Sequence, residues 1–290
     1  MTHVTSQSSR LIEGMEREWT FVPEPLPLSC HARYWWRALG ARAAPRFAIV
    51  KEVAPRPLWI VYFVYSPAGQ LESWHHFTLQ RLKAHGIGLL VVFASPSPAD
   101  VPPKLNDCAD AIYWKALNGY DFSAYSIALR AIARRSPGAR VLVMNDSVLG
   151  PFADLARYID NAPWDLTGFT ANDGSGQRHI QSYAFIIKDV TEARFDKLHW
   201  VFPSRFAFNT AYGAISCQEL WLARVAARSM SVGSFWWGAD VSVHDPSLTK
   251  AVELIEAGFP FLKRSLLTKH SRFHPPGVIQ RLVERLEAEG

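Results

Sequence analysis

The stretch VLVMNDSVLGPF, residues 141–152, decides the fold. Four apolar residues run straight into Asn145, Asp146 and Ser147, and Gly150-Pro151 closes the segment. A short apolar run bounded by turn residues reads as an interior strand of a parallel sheet, because such strands are buried on both faces. Ligands of open α/β sheets sit beyond the carboxyl ends of the strands. Asp146 is therefore a candidate ligand-holding carboxylate. It would equally serve as the cap of a helix beginning near Pro151.

The flanking segments repeat the pattern. LWIVYFVY (58–65) reads as a buried strand closed by Ser66-Pro67-Ala68-Gly69. QLESWHHFTLQRLKAHG (70–86) places Leu71, Trp74, Leu79 and Leu82 on one helical face, with Gly86 as its stop. IGLLVVFAS (87–95) and DAIYW (110–114) are further strands, and YSIALRAIARR (125–135) is a helix ended by Ser136-Pro137-Gly138. Beyond the opening stretch, DLTGFT (165–170) and HIQSYAFIIK (179–188) read as strands, followed by helices around 216–230, 247–257 and 277–288. This alternation predicts an α/β fold, with right-handed βαβ units building a mostly parallel central sheet flanked by helices.

Residues 1–56 differ in character and read as an N-terminal arm, leaving 57–290 as one domain. Within the arm, HARYWWRALGAR (31–42) mixes aromatics with arginines. Either Trp35 and Trp36 pack on the protein's own core, or the segment lies as a helix on lipid.

The net charge of +5 over 290 residues is scattered, which gives no nucleic-acid footprint. The surplus suits an acidic substrate such as a nucleotide diphosphate, or an anionic membrane surface. Cys30, Cys108 and Cys217 are too few and too dispersed for a disulfide framework or a zinc site, and suit a reducing compartment. Met1–Arg10 lacks the apolar core of a signal peptide, and no apolar run is long enough to cross a bilayer. These features predict a cytoplasmic protein with peripheral contact at the inner face of the plasma membrane. No G-x-G-x-x-G turn follows the first strand and no G-x-S-x-G elbow occurs, which excludes a dinucleotide dehydrogenase and a hydrolase of the serine-elbow type.

Three polar clusters fall at strand ends: Ser66 after the first strand, NGYDF (118–122) with Asn118, Gly119 and Asp121 after the third, and Asn145-Asp146-Ser147 after the fourth. A nucleotide needs contacts from several neighbouring loops, which such a placement supplies. The order of the pieces resembles nucleotide-sugar glycosyltransferases of the GT-A type. In detail, YFVYSPAGQLESWHHFTLQRLKAHGIGLLVVFAS, NGYDFSAYSIAL, VLVMNDSVLGPF, WDLTGFTAN, HIQSYAFIIK, QELWLARVA and GFPFLKRSLL resemble, in order, the rhamnan synthesis F family over residues 57–268. That resemblance implies an inverting rhamnosyltransferase. It would move L-rhamnose from dTDP-rhamnose onto a glycan or lipid-linked oligosaccharide of a bacterial cell-wall, capsule or O-antigen polysaccharide. A transferase of another nucleotide sugar, or a catalytically silent glycan-binding module, would share the same blocks.

Under this resemblance Asp146 is the single acid of a DXD-like motif. It would hold the diphosphate through Mg²⁺ or Mn²⁺ with help from the donor and water, or else Lys263 and Arg264 would supply the positive charge. Asp121 would bond the base or ribose, or cap the helix that follows it. His179 and Gln181 share one strand face and would line the sugar pocket. Glu219, at the start of a helix, is the expected base for the acceptor hydroxyl. Asp173, in the loop ANDGSG (171–176), is an alternative base, and Asp240 a third. Trp236 and Trp237 would stack on an acceptor sugar ring.

Overall fold

The computed structural model describes residues 12–23, 25, 28–172, 177–239 and 245–288. In chain order its strands are β1 (Met15–Thr20), β2 (Arg42–Ala43), β3 (Phe47–Lys51), β4 (Leu58–Tyr65), β5 (Gly88–Ala94), β6 (Ala111–Lys115) and β7 (Ala139–Asn145). They continue with β8 (Val148–Leu149), β9 (Leu166–Asn172), β10 (His179–Ile180), β11 (Ala184–Val190), β12 (Phe206–Ala207), β13 (Val232–Gly238) and β14 (Leu262–Lys263). Ten of them form one sheet in the order β1-β13-β9-β11-β7-β4-β5-β6-β3, with β10 added to β9. β7, β4, β5 and β6 are mutually parallel, and β13 runs parallel to β9. β11 lies antiparallel between β7 and β9, and the edge strands β1 and β3 are antiparallel to their neighbours. The α/β expectation holds, and the sheet is mixed at its flanks. Residues 12–56 supply both edge strands and the helix Leu28–Ala38.

The uninterrupted apolar sequences of β4 and β5 follow from burial on both faces. Successive side chains alternate sides. Trp59, Val61 and Phe63 pack with Phe122, Tyr125 and Leu129 of the helix Tyr120–Arg135. Ile60, Tyr62 and Val64 pack with Leu79 and Leu82 of the helix Ser73–Ala84. Each such fully buried Val, Leu or Ile contributes about 1.5–3 kcal/mol. These two helices, one on each face, carry the crossovers that arrange the strand ends.

Candidate functional site

β4, β5 and β6 are laid down successively outward, and the chain then returns through the helix Tyr120–Arg135 to place β7 on the other side of β4. Such a reversal separates the loops that follow the two strands and leaves a crevice at their carboxyl ends. Asp146 bridges β4 and β7 at this point. Its N–H donates to Phe63 O at 3.0 Å, and its Oδ2 accepts from Tyr65 N–H at 3.0 Å. Buried His75, on the helix Ser73–Ala84, brings Nε2 to 3.1 Å from the same oxygen. Its Nδ1 accepts from Glu72 N–H at 3.0 Å, and Trp74 Nε1–H lies 3.1 Å from Nε2, which fixes the ring between the helix and the carboxylate. Asp146 does not cap the next helix. That helix begins at Leu155, and Asp154 Oδ1 accepts from Ala156 N–H.

Asn145 faces the other way and joins the strand end to Asp121, its Nδ2 donating to Asp121 Oδ2 at 2.9 Å. Ser147 folds back on Asn145, its N–H donating to Asn145 Oδ1 at 3.1 Å and its hydroxyl donating to the same oxygen. Asp121 Oδ1 accepts from Phe122 N–H at 2.9 Å in the first helical turn. Burial, and next the neighbouring Glu219 carboxylate, push Asp121 up from 3.8 to about 6. Lys115, at the end of β6, is fully buried; its Nζ donates to Asn118 O at 3.0 Å and lies 5.3 Å from the Phe63 ring centre. Burial draws Lys115 down to about 7, partly offset by Asp121. Two oppositely charged groups that titrate near neutrality thus lie at the strand ends, a pattern concentrated at functional sites.

Glu219 reaches this cluster from a different part of the chain. It does not open a helix: the helical run starts at Ala211 and passes through a π-helical turn, Ile215–Glu219, before continuing over Leu220–Ala226. Single π turns recur at functional sites because they re-aim a side chain. Glu219 Oε2 accepts from Ser182 N–H at 3.0 Å and from the Ser182 hydroxyl. Ser182 is in turn anchored by Tyr125, whose hydroxyl donates to Ser182 O at 3.1 Å.

Cations close the site from the C-terminal side. Gly150 sits at φ +126°, and a Cβ there would lie 2.4 Å from Pro260 O, so only glycine lets the chain pass. β8 then pairs with β14, setting Lys263 opposite Val148, and Arg264 N–H donates to Ser147 O at 2.8 Å. Lys263 Nζ lies 4.4 Å from the Tyr183 ring centre, and the Arg264 guanidinium 4.5 Å from that of Trp74. Arg264 Nη1 is buried without a hydrogen-bond partner among the described residues, a charged donor lacking an acceptor. Among the described residues the donor set does not by itself make a resident Mg²⁺ or Mn²⁺ site. Asp146 Oδ2 is already filled by Tyr65 and His75, and the described residues contain no metal-holding group of three His, Cys, Asp or Glu.

The remaining sequence candidates fall in several places. Ser66 is buried and bonded to Gln70 N–H and Gln70 O, which fixes the turn after β4. Asn118 is exposed on the rim, and Gly119 holds φ +90° where a Cβ would press on Ala207 and Ser123 at 2.8 Å. His179 and Gln181 are buried, His179 against Gln177 O at 2.7 Å and Gln181 accepting from the Thr170 hydroxyl, while Ser182 beside them makes the contact to Glu219. Trp236 is buried under the Arg17 guanidinium, and Trp237 stacks on Trp19 at 4.5 Å, so both rings are occupied by packing. Asp173 and Asp240 lie outside the described residues. His75, Lys115 and Ser182 are site components that the sequence reading missed. So are two exposed rings on the rim: Tyr65, and Tyr120 at φ +46°, an unusual value for a bulky residue. Cavities of 270, 130 and 250 Å³ lie elsewhere, none lined by Asp121, Asp146 or Glu219.

No family model matches the chain. An uncharacterized protein of Sinorhizobium fredii (strain NBRC 101917 / NGR234), y4gN, is 30% identical over 144 residues, 47% of this chain. The match spans 37% of that protein, well under two thirds of its length. Among solved structures, a 4-diphosphocytidyl-2C-methyl-D-erythritol synthase from Anaerococcus prevotii is similar at TM-score 0.40 and 11% identity, covering 61% of this chain and 86% of the other. The inositol-1-phosphate CTP transferase from T. maritima is similar at TM-score 0.40 and 10% identity, covering 70% and 97%. Neither likeness bears on the site. No described helix is long and apolar enough to cross a membrane.

Proposed function

We propose that the chain is a nucleotide-sugar-dependent glycosyltransferase acting at the β4/β7 switch point. The single observation that carries this reading is Asp146 bridging the two strand ends, with the Asn145–Asp121 bond beside it and Glu219 close enough to raise the Asp121 pKa.

In this reading the donor's diphosphate lies against the Asn145-Asp146-Ser147 loop, where Lys263 and Arg264 oppose its charge. The rim residues Asn118, Gly119 and Asp121 take the nucleoside. Glu219, oriented by Ser182, accepts the proton of the acceptor hydroxyl while that oxygen attacks the anomeric carbon. The bond from that carbon to the diphosphate breaks as the new glycosidic bond forms. The nucleoside diphosphate departs, and the configuration inverts. No step runs through a metal ion.

The finer proposal is transfer of L-rhamnose from dTDP-rhamnose onto a bacterial surface glycan or its lipid-linked precursor. It is supported by the ordered sequence blocks between residues 57 and 268 that resemble the rhamnan synthesis F family. In this division residues 57–290 carry the chemistry, and residues 1–56 are an arm whose described part closes both edges of the sheet.

The test is binding and turnover of a panel of nucleotide sugars, with and without Mn²⁺, by the wild type, Asp146→Asn and Glu219→Gln. Glu219→Gln is expected to bind donor normally and to lose nearly all transfer, whereas Asp146→Asn weakens donor binding. Unchanged transfer by Glu219→Gln removes the base. Donor binding without turnover by the wild type favours the silent module.

A further inference from the structure

The helix Leu28–Ala38 is turned the wrong way for a helix of a protein surrounded by water. Its inward side is made by Tyr34, buried against Trp221, and by His31, whose ring also meets Trp221. On the opposite side the helical period brings Leu28, Ala32, Trp36 and Leu39, just past its end, into one stripe at i, i+4, i+8 and i+11. Leu28, Trp36 and Leu39 are 87%, 77% and 81% exposed, and Trp35 at the stripe's border is half exposed. An amphipathic surface helix places polar residues there.

Charge indicates what covers the stripe. From Leu28 to Val50 the chain carries Arg33, Arg37, Arg42 and Arg46 and no acidic residue. Arg33, Arg42 and Arg46 are exposed. Arg37 stacks its guanidinium on Tyr212, itself largely exposed and in the segment that leads to Glu219. Aromatic and aliphatic side chains flanked by arginines that meet no carboxylate among the described residues make the pattern of a helix lying in a membrane interface. Its apolar face enters the acyl boundary while the basic flank meets anionic headgroups.

We infer that the Leu28–Ala38 helix is an interfacial anchor that seats the protein on an anionic lipid surface, with Trp36 and Leu39 inserted and Arg33 and Arg42 on the headgroups. The inference is independent of the glycosyltransferase reading. If both hold, the helix bearing Glu219 stands beside the bilayer, because Trp221, two residues on, packs under the anchor.

The test is flotation of the full chain with phosphatidylcholine vesicles, alone and with about one-third phosphatidylglycerol. The wild type is expected to float with the anionic vesicles and to detach as salt rises. Trp36→Ala/Leu39→Ala should lower the partition coefficient about tenfold on both vesicle types, since it removes inserted apolar surface. Arg33→Glu/Arg42→Glu should lower it about thirtyfold or more on anionic vesicles, and little on neutral ones. These side chains are exposed, so the melting temperature should stay at the wild-type value. Failure of the wild type to float, or equal flotation by both variants, overturns the inference. So does a wild-type dimer in solution that Trp36→Ala/Leu39→Ala converts to monomer, because the stripe would then be covered by a second copy.

Discussion

Asn145 Nδ2 donates to Asp121 Oδ2 at 2.9 Å, tying the end of β7 to the start of the helix that precedes it in the chain. The amide suits this position because Asp121 already resists ionisation. Asn145→Asp would set a second carboxylate against it. We expect that variant to melt well below Asn145→Ala, which loses about 1 kcal/mol with the bond. The gap between the two should close on acidification, as protonation removes the repulsion. Thermal melts of both variants across acid pH check this.

Asp121 and Lys115 predict opposite pH windows for stability. Asp121 is raised, so its contribution is fully present below its ordinary 3.8 and is lost as pH rises through about 6. Asp121→Asn should remove that slope. Lys115 is lowered, so its contribution is present above its ordinary 10.5 and is lost as pH falls through about 7. Lys115→Met should therefore gain relative to the wild type as pH drops across that window. Urea melts at both ends of each window give the two differences.

His75→Leu leaves Asp146 Oδ2 with only the Tyr65 N–H. Removing one partner from a buried carboxylate costs about 1–3 kcal/mol, and donor affinity should fall with it. Denaturation and isothermal titration on the same preparation read both. Wild-type donor affinity in a destabilised variant would show that His75 acts on the fold alone.

Ser182 orients Glu219 without facing any substrate in the proposed reaction. Ser182→Ala keeps the backbone bond and loses the hydroxyl. It should lower kcat about tenfold with donor KM unchanged, as expected when only the positioning of a base is loosened. Ser182→Thr restores a hydroxyl and should recover part of the rate.

The parts legible in the sequence share one physical cause. β4, β5 and β7 are covered on both faces, so their apolar runs stand out, and each polar residue that ends a run marks a strand terminus. This exposed Asp121, Asn145 and Asp146. His75 escaped notice because its orientation depends on how the helix Ser73–Ala84 is rotated on the sheet, which spacing alone leaves open. Lys115 ends an apolar strand but is covered by the Phe63 ring of β4, two strands away, a contact that spacing within β6 leaves open. Trp236 and Trp237 misled for a simpler reason. Neighbours in a strand point to opposite faces, and these two rings enter different cores, so they could never form one platform.

The ribbon between β8 and β14 has a consequence for synthesis. Its two halves are separated by more than a hundred residues, so the later one emerges from the ribosome long after the earlier. A nascent chain stopped before Leu262 already holds the carboxylates of the switch point but not the lysine and arginine that face them. Until β14 has been made, the loop after β7 lacks the two cations that the ribbon brings to it, so this cleft is completed only once that distant segment has folded back.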